Sequence, residues 1–206
     1  MAPLLPHDVE KIRGLYYQEG LNASEIGEKF GVSMRVIYCF MEKHKILRRK
    51  GREQNALRFK NKQPSFTLTT DISEEDEKLK IAGVMLYWAE GYQSDTAAMV
   101  DFANSKPAMI LVFLKFLREI CGIREEKLRG FLYAHSDQNI ADLIKFWSDL
   151  TKIPKEHFTK PYIRTDFRKE QSGKMKYGLL HIRYCDKKLL LVIKGWIEKY
   201  SEYLYT

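Results

Sequence analysis

The sequence predicts an α+β protein, with a small all-helical segment first and a larger domain of alternating helices and strands after it. Three observations carry this. Residues 8–44 space their apolar side chains at helical intervals and break at glycines. Residues 48–76 lose any apolar period and collect Gln, Asn, Lys, Pro64 and a Thr-rich stretch. Residues 77–203 alternate between helical and strand periods in the order α-β-α-β-α-β-β-α.

Composition bounds the reading. Of 206 residues, 45% are hydrophobic and 13% aromatic, enough to pack a core, so disorder is excluded for most of the chain. The longest apolar run, Met109 to Leu114, stops at Lys115 and is far shorter than the roughly 18 residues of a membrane span. The first residues carry neither a basic nor an apolar leader region, so no signal peptide and no membrane partner are expected. Cys39, Cys121 and Cys185 are odd in number and far apart, which suits a reducing cytoplasm and gives no zinc framework. The net charge is +8, with 35 Lys or Arg against 27 Asp or Glu, and it is unevenly placed. Residues 1–62 hold 13 basic and 7 acidic residues, net +6; the remaining 144 hold 22 and 20, net +2. Such local basicity is the footprint of a nucleic-acid contact, because each neutralised phosphate releases a counterion.

Three helices are predicted at the N-terminus. The first covers 8–19, with Val9, Ile12, Leu15 and Tyr16 on one face and Gly20 as its stop. The second covers 23–30, capped by Asn22 or Ser24 and ended by Gly31; the third covers 34–44 behind the N-cap Ser33. Gly27 sits where crossing helices need a small residue, and Ile26, Phe30, Val32, Ile37 and Phe40 supply the core. The run Glu25-Ile-Gly-Glu-Lys-Phe-Gly-Val-Ser33 with Val36-Ile-Tyr38 resembles the homeodomain-like helix-turn-helix family over residues 7–47. The resemblance implies that the third helix enters the major groove of DNA, with Ser33, Met34, Arg35, Tyr38, Cys39 and Glu42 exposed to base edges. Arg35 is the candidate for a bidentate guanine contact. Lys43 to Arg52 holds six Lys or Arg in ten residues, and Arg48, Arg49, Lys50 and Arg52 read as a phosphate-binding arm. The expected organisation is a DNA-binding domain at 1–50, a basic and polar linker at 51–76, and a second domain at 77–206.

The second domain opens on a helix at 77–90, preceded by Ser73 as N-cap and an acidic first turn. Ala82, Met85, Leu86 and Ala89 form one stripe on it, small enough for a second helix to approach. Strands are predicted at 96–103, 127–135, 159–167 and 175–185, and helices at 106–121, 138–151 and 187–203. Leu114-Lys-Phe-Leu117, Ile144-Lys-Phe-Trp147 and Ile193-Lys-Gly-Trp196 echo one another, as helices repeated on one sheet would.

Gly83-Val-Met-Leu-Tyr-Trp-Ala-Glu-Gly91 resembles a diverged LAGLIDADG motif, the signature helix of homing endonucleases and of related regulators that do not cut. Leu86, Ala89, Glu90 and Gly91 match its more constrained half, whereas Gly83, Val84, Met85, Tyr87 and Trp88 depart from it. Met85 replaces the usual close-packing glycine, so a wider helix pair is expected. Over residues 77–203 the resemblance implies a LAGLIDADG-type fold with a mixed or antiparallel sheet as a saddle on double-stranded DNA. It further implies a homodimer through the 77–90 helix, and Glu90 as catalytic carboxylate and ligand to Mg2+ or another divalent cation. Strand parity gathers Lys160, Tyr162, Arg164 and Arg168, then His181 and Arg183, then Arg129, Tyr133 and His135, onto one polar face. Arg129, Lys160, Arg164, His181 and Arg183 are the candidate DNA contacts there; His135 and His181 read as saddle or surface residues rather than metal ligands.

No Walker loop, G-x-G-x-x-G, G-x-S-x-G or H-E-x-x-H occurs, so nucleotide, serine-hydrolase and zincin chemistries lack their starting residues. Three functions remain: a metal-dependent site-specific endonuclease, a non-cutting DNA-binding regulator of the same fold, and a repressor whose second domain senses a small ligand in an apolar pocket. Either DNA-binding reading places the protein in the cytoplasm with the nucleoid.

Overall fold

The computed structural model describes residues 4–165 and 175–205. Arg168 and the end of the third predicted strand lie outside these residues. The chain divides into two compact units, Met1–Gln63 and Pro64–Thr206.

The first unit holds helices α1 (Asp8–Tyr17), α2 (Ala23–Phe30), α3 (Met34–Lys43) and α4 (Gly51–Asn61). Local chemistry sets the middle two. Asn22 caps α2 by accepting from the Ser24 and Glu25 amides, and the Glu25 carboxylate returns a bond to the Asn22 amide at 2.6 Å. Gly31 ends α2 in the left-handed region at φ 65°, and two residues later Ser33 Oγ caps α3. The crossing is close: a Cβ on Gly27 would meet the Val32 carbonyl at 2.5 Å. Ile12, Leu15, Tyr16, Ile26, Ile37, Phe40 and Met41 are buried around it, with Phe30 and Val32 at the margin.

Residues 51–61, expected as linker, form α4. Its Glu53 carboxylate bonds the Lys50 amide at 3.1 Å, and Ala56 and Leu57 follow as good helix formers. No residue of α4 is buried, so its weak apolar pattern hid it in the sequence. Residues 64–76 of the expected linker belong to the second unit. Ser65 bonds Asp186, the Thr67 amide bonds the Gly122 carbonyl at 3.1 Å, and the Thr69 amide bonds the Ile120 carbonyl at 3.0 Å.

The second unit runs α5 (Glu74–Glu90), β1 (Val100–Asn104), α6 (Pro107–Lys115), β2 (Leu128–His135), α7 (Ile140–Thr151), β3 (Phe158–Arg164), β4 (Leu179–Tyr184) and α8 (Lys187–Tyr205). Ser73 and Asp76 close a reciprocal cap on α5, as the acidic first turn requires. The strands form one mixed sheet in the order β1-β4-β2-β3, antiparallel except for the parallel β2–β3 pair that α7 connects. Even-numbered residues of β1, β2 and β4 are buried, and Phe102, Leu132, Ile182 and Tyr184 among them are fully so, in the core shared with α5, α6, α7 and α8. Odd-numbered ones are mostly half-exposed, so the sheet is covered on one side and open on the other.

Two departures from the expected elements have packing causes. The 106–121 helix changes at Phe116–Ile120 into a π turn, whose extra residue brings Phe116, Leu117 and Ile120 all inward. Phe116 then fills the hollow at Gly83: a Cβ there would lie 2.1 Å from the Phe116 ring. The first strand starts at Val100 because Ser94 and Thr96 form a hydroxyl-bonded turn that also binds the Ala97 amide. No helix of the described residues is long and apolar enough to cross a membrane.

Candidate nucleic-acid interface

In the first unit the exposed face of α3 carries Ser33, Met34, Arg35, Val36, Cys39 and Glu42. Ser33 is committed to its cap, accepting from the Val36 amide at 3.4 Å. Arg35 is exposed, and Tyr38 is half-buried with the Arg48 guanidinium 4.2 Å over its ring. Met34 and Val36 are 49% and 41% exposed, which makes the face amphipathic rather than merely charged.

The expected phosphate arm does not stay together as one exposed run. Arg49 folds inward: its guanidinium lies 4.0 Å over the Tyr16 ring and donates to the carbonyls of Tyr16 and Leu21, while its amide bonds the Tyr16 hydroxyl at 3.0 Å. Lys50 is the N-cap residue of α4, and Arg52 lies within that helix; both remain exposed, as does Arg48. A linear reading could not separate Arg49 from its neighbours, because its partners are some 30 residues upstream.

In the second unit the open sheet face brings together Asp101 and Ala103 from β1, His181 and Arg183 from β4, Arg129, Phe131 and Tyr133 from β2, and Thr159, Tyr162 and Arg164 from β3. Tyr133 and Tyr162 stack with centroids 4.7 Å apart. Arg129 is turned to its own strand's start, donating to the Glu126 and Leu128 carbonyls at 2.6 and 2.8 Å. Lys160 is exposed, yet an irregularity in the β2–β3 register makes Thr159 the partner of Phe131 and Tyr162 the partner of Tyr133, so Lys160 loses the parity expected of it. His135 is 6% exposed, under the turn that its carbonyl makes with the Gln138 amide, and is a core residue rather than a surface one.

Glu90 ends α5 at the edge of this face. Its side chain is exposed and makes no hydrogen bond or ion pair among the described residues. The following chain is stitched to β1: Gly91 bridges Phe102, and the Tyr92 amide donates to the Asp101 carbonyl at 2.9 Å. Glu90, Tyr92, Asp101, Ala103, His181 and Arg183 thereby line one cleft of about 490 Å³. Asp101 is its best-connected group, and the sequence reading missed it. Its two oxygens take His181 Nδ1 and Arg183 Nε, each at 2.8 Å. Burial works to raise the Asp101 pKa, but the bonds and charges of His181 and Arg183 outweigh it and hold the carboxyl below its ordinary value. The one available signal was the alternation of Val100-Asp-Phe-Ala-Asn104, which puts Asp101 on the polar side.

The stripe Ala82, Met85, Leu86 and Ala89 is not the core face of α5. Gly83, Val84 and Tyr87 are buried instead, and burial pushes the Tyr87 hydroxyl up to about 12. Ala82, Met85 and Leu86 line a shallow apolar hollow with Ala108, Met109 and Val112 of α6. Met85 also borders a second hollow of about 440 Å³, with Ile81 of α5 and Tyr200 and Tyr203 of α8. Among the described residues no three His, Cys, Asp or Glu side chains come together as a metal-holding group. Comparison of the chain with protein-family models, with curated proteins and with solved structures returns no match.

Proposed function

We propose that this protein binds double-stranded DNA at specific sites and, as a homodimer paired through α5, hydrolyses a phosphodiester with a divalent cation held at Glu90, in the manner of LAGLIDADG endonucleases. One observation carries the reading. A free, exposed carboxylate ends a helix whose apolar stripe is only half-buried, at the edge of a one-sided sheet whose open face holds cations and stacked tyrosines. Helix α3 serves as the groove-reading element, with Arg35 on base edges and Arg48, Lys50 and Arg52 on phosphates.

The donor set at Glu90 suits a hard cation. The carboxylate has no competing partner among the described residues, and it stands at a helix C-terminus, where the backbone dipole favours positive charge. A second copy paired on α5 supplies the second carboxylate. The cation, when bound, lowers the pKa of water and offsets phosphate charge. The half-buried stripe favours pairing: its neighbours Ile81 and Val112 are 41% and 38% exposed, and an apolar surface continuous through Met85 from α6 to α8 is costly to leave in water. The same continuity makes the hollow at Tyr200 and Tyr203 part of that surface rather than a separate sensor pocket.

A specific observation also favours the non-cutting regulator. The other carboxylate of the cleft, Asp101, is engaged by His181 and Arg183, so each chain brings one free carboxylate. The test selects a binding site from random duplex DNA and assays cleavage with Mg2+. Native protein is expected to cut, and Glu90→Gln to bind without cutting. Uncut DNA with native protein overturns the nuclease and leaves the regulator. Sedimentation is expected to show a dimer that Leu86→Glu converts to monomer; a native monomer both alone and on DNA refutes the pairing.

A further inference from the structure

Asp101, His181 and Arg183 form a braced constellation that DNA binding in general does not require. Residues 101 and 183 are register partners on β1 and β4, and 103 is the partner of 181. One carboxylate can therefore reach both donors on the same face, and each of its oxygens is engaged. Because that carboxyl is ionised at neutral pH it only accepts, so His181 Nδ1 is the donor in their bond. Arg183 is fixed twice, through Nε and by Phe131, whose ring centroid lies 4.1 Å from the guanidinium carbon. Phe131 also packs edge-on to the His181 ring at 5.3 Å. A guanidinium so held has lost its rotamer freedom before any ligand arrives, and its two terminal nitrogens make no other hydrogen bond among the described residues.

A lone salt bridge on a sheet face needs neither the second donor nor the aromatic brace. A fixed planar fork beside an open cleft fits a tetrahedral oxyanion, which it can bind through two parallel N–H bonds. We infer that the cleft beside Glu90 is a phosphodiester-binding site, with Arg183 as the phosphate ligand and Asp101 as the residue that positions it. This deepens the DNA reading, and rests on it only for the source of the phosphate. It assigns Arg183 to the backbone next to Glu90 rather than to a base edge.

Asp101 gives the inference its sharpest test. Charge alone predicts that removing a carboxylate from a DNA-binding face tightens binding. Positioning predicts the reverse, because His181 and Arg183 each take a different oxygen of Asp101, and Asp101→Asn keeps one acceptor oxygen in place of two and loses the charge that holds the guanidinium.

The experiment has two arms on the full chain. In the first, the Arg183 Nε–H resonance is followed by NMR during titration with inorganic phosphate at constant ionic strength. Native protein and Glu90→Gln are expected to show a saturable shift, and Asp101→Asn roughly 3- to 10-fold weaker binding, the loss of about one hydrogen bond. Absence of a saturable shift in the native chain overturns the site, whether or not DNA is cut. In the second arm, duplex binding is measured against salt. Arg183→Gln is expected to reduce the slope of log affinity on log salt by about one, equally on cognate and unrelated DNA. An unchanged slope with altered base preference overturns the phosphate assignment, as does tighter DNA binding by Asp101→Asn. Arg183→Lys, which keeps the charge and removes the fork, is the second variant should Asp101→Asn not fold; full phosphate affinity in it also refutes the inference. Saturable phosphate binding by a protein that leaves DNA uncut sinks the nuclease reading alone.

Discussion

Arg49 and Arg48 are neighbours with opposite duties. Arg48 is exposed and rests on Tyr38, whereas Arg49 ties the α1–α2 turn to the segment after α3 through Tyr16 and Leu21. Arg49→Ala is therefore expected to cost about 2 kcal/mol of stability, from two hydrogen bonds and a cation–π contact. Arg48→Ala should stay within about 0.5 kcal/mol and instead weaken DNA binding. Chemical denaturation followed by circular dichroism, beside binding by each variant, checks both. Equal stabilities would show that Arg49 is as dispensable to the fold as its neighbour. Arg35 is the complement: Arg35→Ala is expected to relax preference at one base by about 1–3 kcal/mol, read from binding to permuted sites.

Helix α5 has two faces with different uses. Its buried face is set by Gly83, against which Phe116 of the π turn packs, and by Val84 and Tyr87. Gly83→Ala is expected to destabilise the second unit by about 1–3 kcal/mol through overpacking, and Phe116→Leu in the same chain to restore part of that. Thermal unfolding of the two variants measures it; an unaffected Gly83→Ala would mean that Phe116 gives way without cost. The other face carries Ala82, Met85 and Leu86, half-buried beside Ala108, Met109 and Val112 of α6. The absence of a side chain at position 83 thus serves packing within one chain.

For the whole molecule, charge acts at long range in sequence. Asp186 is buried, and although burial works to raise its pKa, bonds from the Ser65 amide and hydroxyl and from the start of α8 hold it below its ordinary value, as His181 and Arg183 do for Asp101. A depressed carboxyl pKa stabilises the fold above the ordinary aspartate value and loses that contribution as pH falls through the folded value. The second unit is therefore expected to hold constant stability from neutral pH down to about pH 5, and to lose it below about pH 4. Tryptophan fluorescence isolates this unit, since Trp88, Trp147 and Trp196 all belong to it. Asp186→Asn should flatten the acid limb; a limb of native steepness in that variant would refute its contribution.

What the sequence by itself determined is the part governed by neighbours in the chain. Asn22, Ser33 and Ser73 announce the starts of α2, α3 and α5 because a cap acts over two or three residues. The α-β-α-β-α-β-β-α order was legible for the same reason, since hydrophobic period is local. Helix α4 was not, because it buries no side chain and so leaves no stripe. Tertiary structure alone decided the rest of the site. The shift in β2–β3 pairing took Lys160 out of register, and the inward fold of Arg49 took one cation from the basic run. The β1–β4 pairing put Asp101 opposite Arg183, 82 residues away. Each depends on which strands become neighbours, a choice made by burying the whole apolar face of a sheet at once and by no residue's immediate surroundings.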